Sequence, residues 1–165
     1  MSKAVYIATS EPNSGKSIIT QGVMQVLTGR AARVGYFRPI IDDYPEGTRD
    51  NHINTVITHF KLDQTYEESF ACTRSEVVQK SGVDKADEIL DTIFEKYKAI
   101  ESKSDLVLVE GTDFSLESSV IEWDFNVLIA QNLGIPAILL AAGSTKTEEE
   151  IVGNLFLAYD SFKSK

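Results

Sequence analysis

The chain holds a single cysteine, Cys72, in 165 residues. An internal disulfide is therefore excluded, and a reducing, cytoplasmic setting is expected. No histidine lies close to Cys72 in sequence, so it reads as a small apolar residue rather than a nucleophile. Positive charge is scarce as well: 16 Lys and Arg stand against 25 Asp and Glu, a formal net charge of −9. Phosphate backbones are gripped by clustered basic side chains, so no nucleic-acid partner is expected. A small nucleotide needs only local positive potential and is not excluded. No apolar run approaches the ~20 residues that cross a bilayer, so no membrane partner is expected either. The N-terminus enters an apolar run almost at once, and a signal peptide is not expected. Repeats and low-complexity linkers are missing. What remains is 42% apolar and 9% aromatic, an ordinary globular composition that suits one domain over residues 1–165.

Short apolar runs occur at residues 4–9, 33–38, 105–110 and 135–141. Runs of this length, bounded by Gly, Pro or Asp, fit strands buried on both faces of a parallel sheet. Helical spacing fills the intervals. Ile19, Val23, Val26 and Leu27 form one stripe ending at Gly29, and residues 51–60 carry Ile53, Val56, Ile57 and Phe60. The clearest amphipathic helix runs from Val83 to Ser102, and another is expected from Asp124 to Leu133. Thr147 and Glu150 form a capping box that opens a last helix through Ile151, Leu155 and Tyr159. This alternation predicts an α/β fold, a doubly wound and mostly parallel sheet with helices on both faces. Ligands of such sheets bind beyond the carboxyl ends of the strands. The chain stops in or just after a helix, where such a sheet would continue, so an N-terminal fragment of a longer enzyme is expected.

The first strand leads into Ser10-Glu11-Pro12-Asn13-Ser14-Gly15-Lys16-Ser17, a P-loop pattern with Ser10 in place of the usual first glycine. Strand, tight loop and helix in that order aim the amides of Asn13, Ser14, Gly15, Lys16 and Ser17 into one concavity at a helix N-terminus. Lys16 would reach the β/γ-phosphates and the Ser17 hydroxyl would ligate Mg²⁺, which makes ATP and Mg²⁺ the expected cofactors. The bland reading of the same residues is a strand-to-helix turn with an exposed lysine.

Three further candidates follow strands. Arg38 either contacts a phosphate or carboxylate at the crevice mouth or pairs with Asp42 or Asp43. Asp50 is either a Mg²⁺ ligand or the cap of the helix that begins near Asn51. Glu110 ends the apolar strand Leu106 to Val109, where an isolated carboxylate is costly unless paired or metal-bound. It reads as a Mg²⁺ ligand facing the P-loop hydroxyl, or else as a hydrogen-bonded acid that steadies the loop after it. His52 and His59 are seven apart and do not form a metal pair, so both read as surface or helix-face residues.

Taken together, Ala8 to Ser17, Gly35 to Ile40, Val107 to Gly111 and Leu133 to Leu140 follow the order seen in dethiobiotin synthetases. The chain resembles, over essentially its whole length, the dethiobiotin-synthetase-like P-loop domain at the N-terminus of bacterial phosphate acetyltransferases. Two departures favour the transferase-associated domain. The synthetase tract Glu-Gly-Ala-Gly-Gly is here Glu110-Gly111-Thr112-Asp113-Phe114, and Arg38 replaces the carbamate-stabilising lysine. The strand bearing the adenine-reading asparagine of the synthetases is expected beyond Lys165.

The resemblance implies a regulatory or interaction domain with no catalytic residues of its own. Its parent would interconvert acetyl-CoA plus phosphate with acetyl phosphate plus CoA. The expected partners are a C-terminal acetyltransferase domain in the same polypeptide, further copies in a homo-oligomer, and a nucleotide or metabolite effector. Two alternatives stand beside it. One is an ATP- and Mg²⁺-dependent ligase of the dethiobiotin-synthetase type. The other is a degenerate P-loop assembly domain, for which an exposed apolar patch near the end of the chain is expected.

Overall fold

A computed structural model describes residues 3–9, 11, 14–79, 86–112, 119–144 and 146–163, with backbone alone for 119–122. Five strands form one sheet: β1 (Ala4–Thr9), β2 (Val34–Ile41), β3 (Phe70–Thr73), β4 (Leu106–Glu110) and β5 (Ala137–Leu140). Their order is β3-β2-β4-β1-β5, and every neighbouring pair is parallel. Among the described residues six helices accompany the sheet: α1 (Lys16–Thr28), α2 (Asn51–Phe60), α3 (Arg74–Gln79), α4 (Ala86–Lys103), α5 (Ser119–Leu133) and α6 (Glu148–Lys163). The expected α/β class and parallel sheet are what the structure has. No helix among the described residues is long and apolar enough to cross a membrane.

The sheet has a core on each side. Met24 of α1 and Ile53 and Val56 of α2 pack on Ile7, Tyr36 and Leu108. On the other face, Ile89, Ile93, Tyr97 and Ile100 of α4, with Ile129 and Leu133 of α5, pack on Tyr6, Phe37, Val107 and Val109. Successive strand residues alternate between these layers, so the face of Leu108 is also the face of Glu110. That parity delivers the Glu110 carboxyl to the α1/α2 side of the sheet.

Several element ends have local causes. Asp50 caps α2: its Oδ1 accepts from the His52 and Ile53 amides at 2.8 and 3.0 Å. At α6 the capping box closes reciprocally, with the Thr147 amide donating to Glu150 Oε2 at 2.7 Å and the Glu150 amide to Thr147 Oγ1 at 3.3 Å. Three sequence expectations need correction. Strand β2 runs through Pro39 to Ile41, because its pairing with β4 ends at Phe37 and β3 takes over from Arg38. The missing proline N–H faces the side where no ladder remains. Strand β3 and helix α3 are additional elements, too short to carry a period. On α1, the buried face is Lys16, Thr20 and Met24; Val23 and Leu27 of the expected stripe are half-buried against the core, while Ile19 and Val26 are exposed.

Core packing on the α4 side sets one expectation. Ile93 is fully enclosed between the helix and the sheet. Ile93→Ala should destabilise the domain by about 2–5 kcal/mol, read as a lower urea midpoint at unchanged slope.

Candidate phosphate-binding site

The loop after β1 turns into α1 at Gly15, whose φ of +76° lies in the left-handed region that favours glycine. Its carbonyl accepts from the Ile18 and Ile19 amides at 3.1 and 3.3 Å. Asn13, with Ser10, lies outside the described residues. Ser14, Gly15, Lys16 and Ser17 stand together at the start of α1. Lys16 is only 4% exposed, which removes the bland reading of an exposed lysine on a turn. Its Nζ donates to the Gly111 carbonyl and lies 3.7 Å from Glu110 Oε1.

Gly111 is required by close approach. A Cβ there would stand 2.4 Å from Asn126 Oδ1 and 2.9 Å from the Ile7 carbonyl oxygen. Asn126 Oδ1 in turn accepts from the Tyr6 hydroxyl at 2.6 Å and the Thr112 amide at 2.9 Å. The backbone after β4 is thereby pressed against β1, which brings its carbonyl to Lys16.

Glu110 is 0% exposed and sits at the centre of the constellation. Its Oε2 accepts from the Tyr36 hydroxyl at 2.6 Å. Around Oε1 stand His52 Nδ1 at 3.5 Å, Lys16 Nζ at 3.7 Å and Arg38 Nε at 3.8 Å. These contacts are ion pairs beyond hydrogen-bond geometry, so Oε1 is a buried acceptor that receives no hydrogen bond. Burial alone would raise the carboxyl's pKa. His52, Arg38, Lys16 and the Tyr36 hydroxyl outweigh that and hold it well below the usual carboxylate range. Tyr36 moves the other way: burial first, then the Glu110 charge, pushes its hydroxyl well above its ordinary value.

Arg38 is buried and pairs with Asp50, Nη1 to Oδ2 at 2.5 Å. The alternative partners suggested by sequence are taken by other groups: Asp42 pairs with Arg74 at 2.8 Å, and Asp43 accepts from the Ser75 hydroxyl at 2.8 Å. Asp50 also accepts from the Tyr44 hydroxyl at 3.2 Å, and its amide donates to the Tyr66 hydroxyl at 2.8 Å. Its capping role is thus visible in the structure, and the same carboxylate anchors Arg38.

His52 is the residue that sequence reasoning misses. Spacing sets it against His59, whereas its neighbour in space is Glu110, which lies on another element. The signal available in sequence is its position in the first turn of a helix that Asp50 caps. Between α1 and α2 lies a hollow of about 250 Å³ lined by Ser17, Thr20, Gln21, Asn51, His52, Thr55, Val56 and Glu110. Thr20 Oγ1 is a second buried polar atom on it with no hydrogen bond. Two helix N-termini, a hydroxyl-rich wall and an unsatisfied carboxylate oxygen therefore converge on one space.

These features define a P-loop-type site at the carboxyl end of a parallel sheet, and the chain belongs to the AAA domain family, which it matches over residues 3–165. Among curated proteins it is 36% identical over 165 residues to a phosphate acetyltransferase of Nitratidesulfovibrio vulgaris, covering 100% of this chain and 23% of that protein. It is 35% identical over 162 residues to a phosphate acetyltransferase of Synechocystis, with 98% and 23% covered. The chain thus spans about a quarter of the length of these relatives. In fold it resembles the solved BceF tyrosine kinase domain, with a TM-score of 0.52, 18% identity, and 98% of this chain and 64% of that one covered.

The His52–Glu110 pair has a defined pH signature. The Glu110 carboxylate raises the imidazole's pKa above the ordinary 6.5, against an opposing effect of burial. A folded-state pKa above the unfolded one gives stability that is complete below the unfolded value and is lost as pH rises through the folded value. Thermal melts between about pH 5.5 and 8 should therefore show the wild type losing its advantage over His52→Gln with rising pH. An offset that is constant across that range would remove the pairing.

Proposed function

We propose that this chain is the N-terminal, non-catalytic domain of a phosphate acetyltransferase, and that its P-loop-type pocket binds a phosphate-bearing effector. The parent enzyme would interconvert acetyl-CoA plus phosphate with acetyl phosphate plus CoA through a separate C-terminal domain. One observation carries the pocket: Glu110 Oε1, fully buried and without a hydrogen bond, borders the hollow at the α1 N-terminus. The relation to the transferases rests on a match that fills this chain and only about a quarter of theirs in length.

In this reading the effector's phosphate takes the amides of Ser14 to Ser17 and the Lys16 ammonium, with Arg38 adding positive potential behind Glu110. The donor set on the hollow suits Mg²⁺: Ser17 supplies a hydroxyl and Glu110 a carboxylate oxygen, both hard ligands. Bound there, Mg²⁺ would neutralise phosphate charge. Asp50 contributes by fixing Arg38 and the start of α2, since its oxygens already serve the guanidinium and two amides. Effector binding changes the parent's activity only through different affinity for two states of that enzyme, typically ~1–3 kcal/mol of coupling.

Thermal shift with ATP, ADP, GTP and CoA, each with Mg²⁺, tests this. Ligand at about 100 times its Kd adds roughly 2.7 kcal/mol, a Tm rise of about 5–10 °C for a domain of this size. Lys16→Ala is expected to lower the ligand-free Tm as well, because it removes a cation that faces buried Glu110. Ser17→Ala keeps that pair and should abolish the Mg²⁺-dependent increment with little effect on the ligand-free melt. Flat melts with all four compounds would sink the pocket reading. ATP turnover with diaminopelargonate and bicarbonate would replace it by the ligase reading.

A further inference from the structure

Helix α6 carries two apolar faces. One packs inward, with Ala158 buried and Phe162 edge-on to Trp123 at 5.5 Å between ring centres. The other is solvent-exposed: Val152, Phe156 and Tyr159 are 50%, 64% and 52% accessible. Their spacing of four and then three residues places them on a single stripe. Exposed Glu148 and Glu149 extend that stripe at its N-terminal end, and exposed Lys163 extends it at the other. Lys163 Nζ lies 5.7 Å from the Tyr159 ring, along the same face.

The pattern is self-complementary in reverse. Phe156 lies at its middle, Val152 and Tyr159 flank it with apolar surface, and the acidic and basic ends lie at matching distances beyond. Two such helices laid antiparallel place Phe156 on Phe156 and Val152 on Tyr159 of the second copy. Lys163 then meets Glu148 and Glu149 of that copy, twice over. A parallel arrangement would set acid on acid. Because α6 follows the capping box formed by Thr147 and Glu150, Glu148 and Glu149 are not used by the cap itself.

We propose that this stripe is the surface through which two copies of the chain associate, α6 antiparallel to α6 about a two-fold axis at Phe156. The contact is isologous, so one patch serves both copies and closes the assembly at two. The stripe lies on the opposite side of the sheet from the α1/α2 pocket, and the proposal stands whether or not that pocket binds phosphate.

Sedimentation equilibrium of the 165-residue chain tests it. The wild-type mass should rise with concentration from 18.3 kDa towards twice that value. Phe156→Asp, on an exposed site, should stay monomeric with an unchanged circular dichroism spectrum. Two charge variants make the test specific to orientation. Lys163→Glu gives a stripe acidic at both ends, and Glu148→Lys with Glu149→Lys gives one basic at both ends. Each alone should associate about fivefold or more weakly than wild type, since like charges then face each other. Mixed in equal amounts they should recover association, because every facing pair is again opposite in sign. A monomeric wild type up to about 200 µM, where even weak specific contacts register, would overturn the proposal. So would a dimer indifferent to Phe156→Asp, or charge variants that fail to rescue each other. The first outcome would assign the stripe to an adjoining part of a longer polypeptide or to another protein.

Discussion

A carboxylate with no exposure to water is the constraint around which this domain is arranged. Glu110 ends the strand between β1 and β2, and strand alternation leaves its side chain no route to the surface. Left alone, an ionised carboxyl there would cost several kcal/mol in lost hydration. Each neighbouring element answers that cost: Lys16 from α1, His52 from α2, Tyr36 and Arg38 from β2. Asp50 then offsets the second cation and, through the same carboxylate, starts α2 where His52 must stand. Helix placement and charge balance are therefore one problem with one solution.

The same inventory bears on the ligands proposed for the pocket. Lys16, Arg38 and His52 face the two acids Glu110 and Asp50, so the cluster is already close to neutral. A bare divalent cation would have to sit within a few ångströms of two permanent positive charges, and at short range in a partly buried site that repulsion is substantial. If the proposed phosphate binds, it would reverse the sign, because it would meet the amides and Lys16 and bring the negative charge that a metal requires. In the same reading, Glu110 Oε1 would supply a carboxylate oxygen to the metal. Phosphate first, or phosphate and metal together, is the sequence of events that the electrostatics favour.

Much of this arrangement is legible in the amino-acid sequence alone. Asp50 and the Thr147/Glu150 pair mark their helix starts because caps are local chemistry, written within three residues. Glu110 stands out because an acid at the end of an apolar run has no local explanation. The departures cluster where the site overrides pattern. Periodicity places half of the α1 stripe correctly, since Val23 and Leu27 pack on the core, but Lys16 and Thr20, polar by type, turn inward at the pocket, while Ile19 and Val26 stay outside. His52 is hidden for a related reason: its partner Glu110 lies far along the chain, and only the β4–α2 proximity reveals it. Pro39 misleads by type, since proline breaks a ladder only where a ladder exists.

Pocket and stripe lie on opposite layers and share no residue, but one contact ties the segments that lead into them. Glu11, between β1 and α1, accepts a hydrogen bond from the Ala142 amide at 3.1 Å and pairs with Lys146. Lys146 directly precedes the capping box of α6. Lys146 and the Ala142 amide hold the Glu11 carboxyl below its usual pKa despite burial, so the tie is charged at neutral pH. A ligand that reshapes the loop around Glu11 therefore acts on the segment from which α6 departs. Energy passes between the two places only in so far as the ligand prefers one arrangement of that segment over another. If it has such a preference, association through α6 must strengthen or weaken ligand binding by the same factor, because the coupling between two binding equilibria is symmetric.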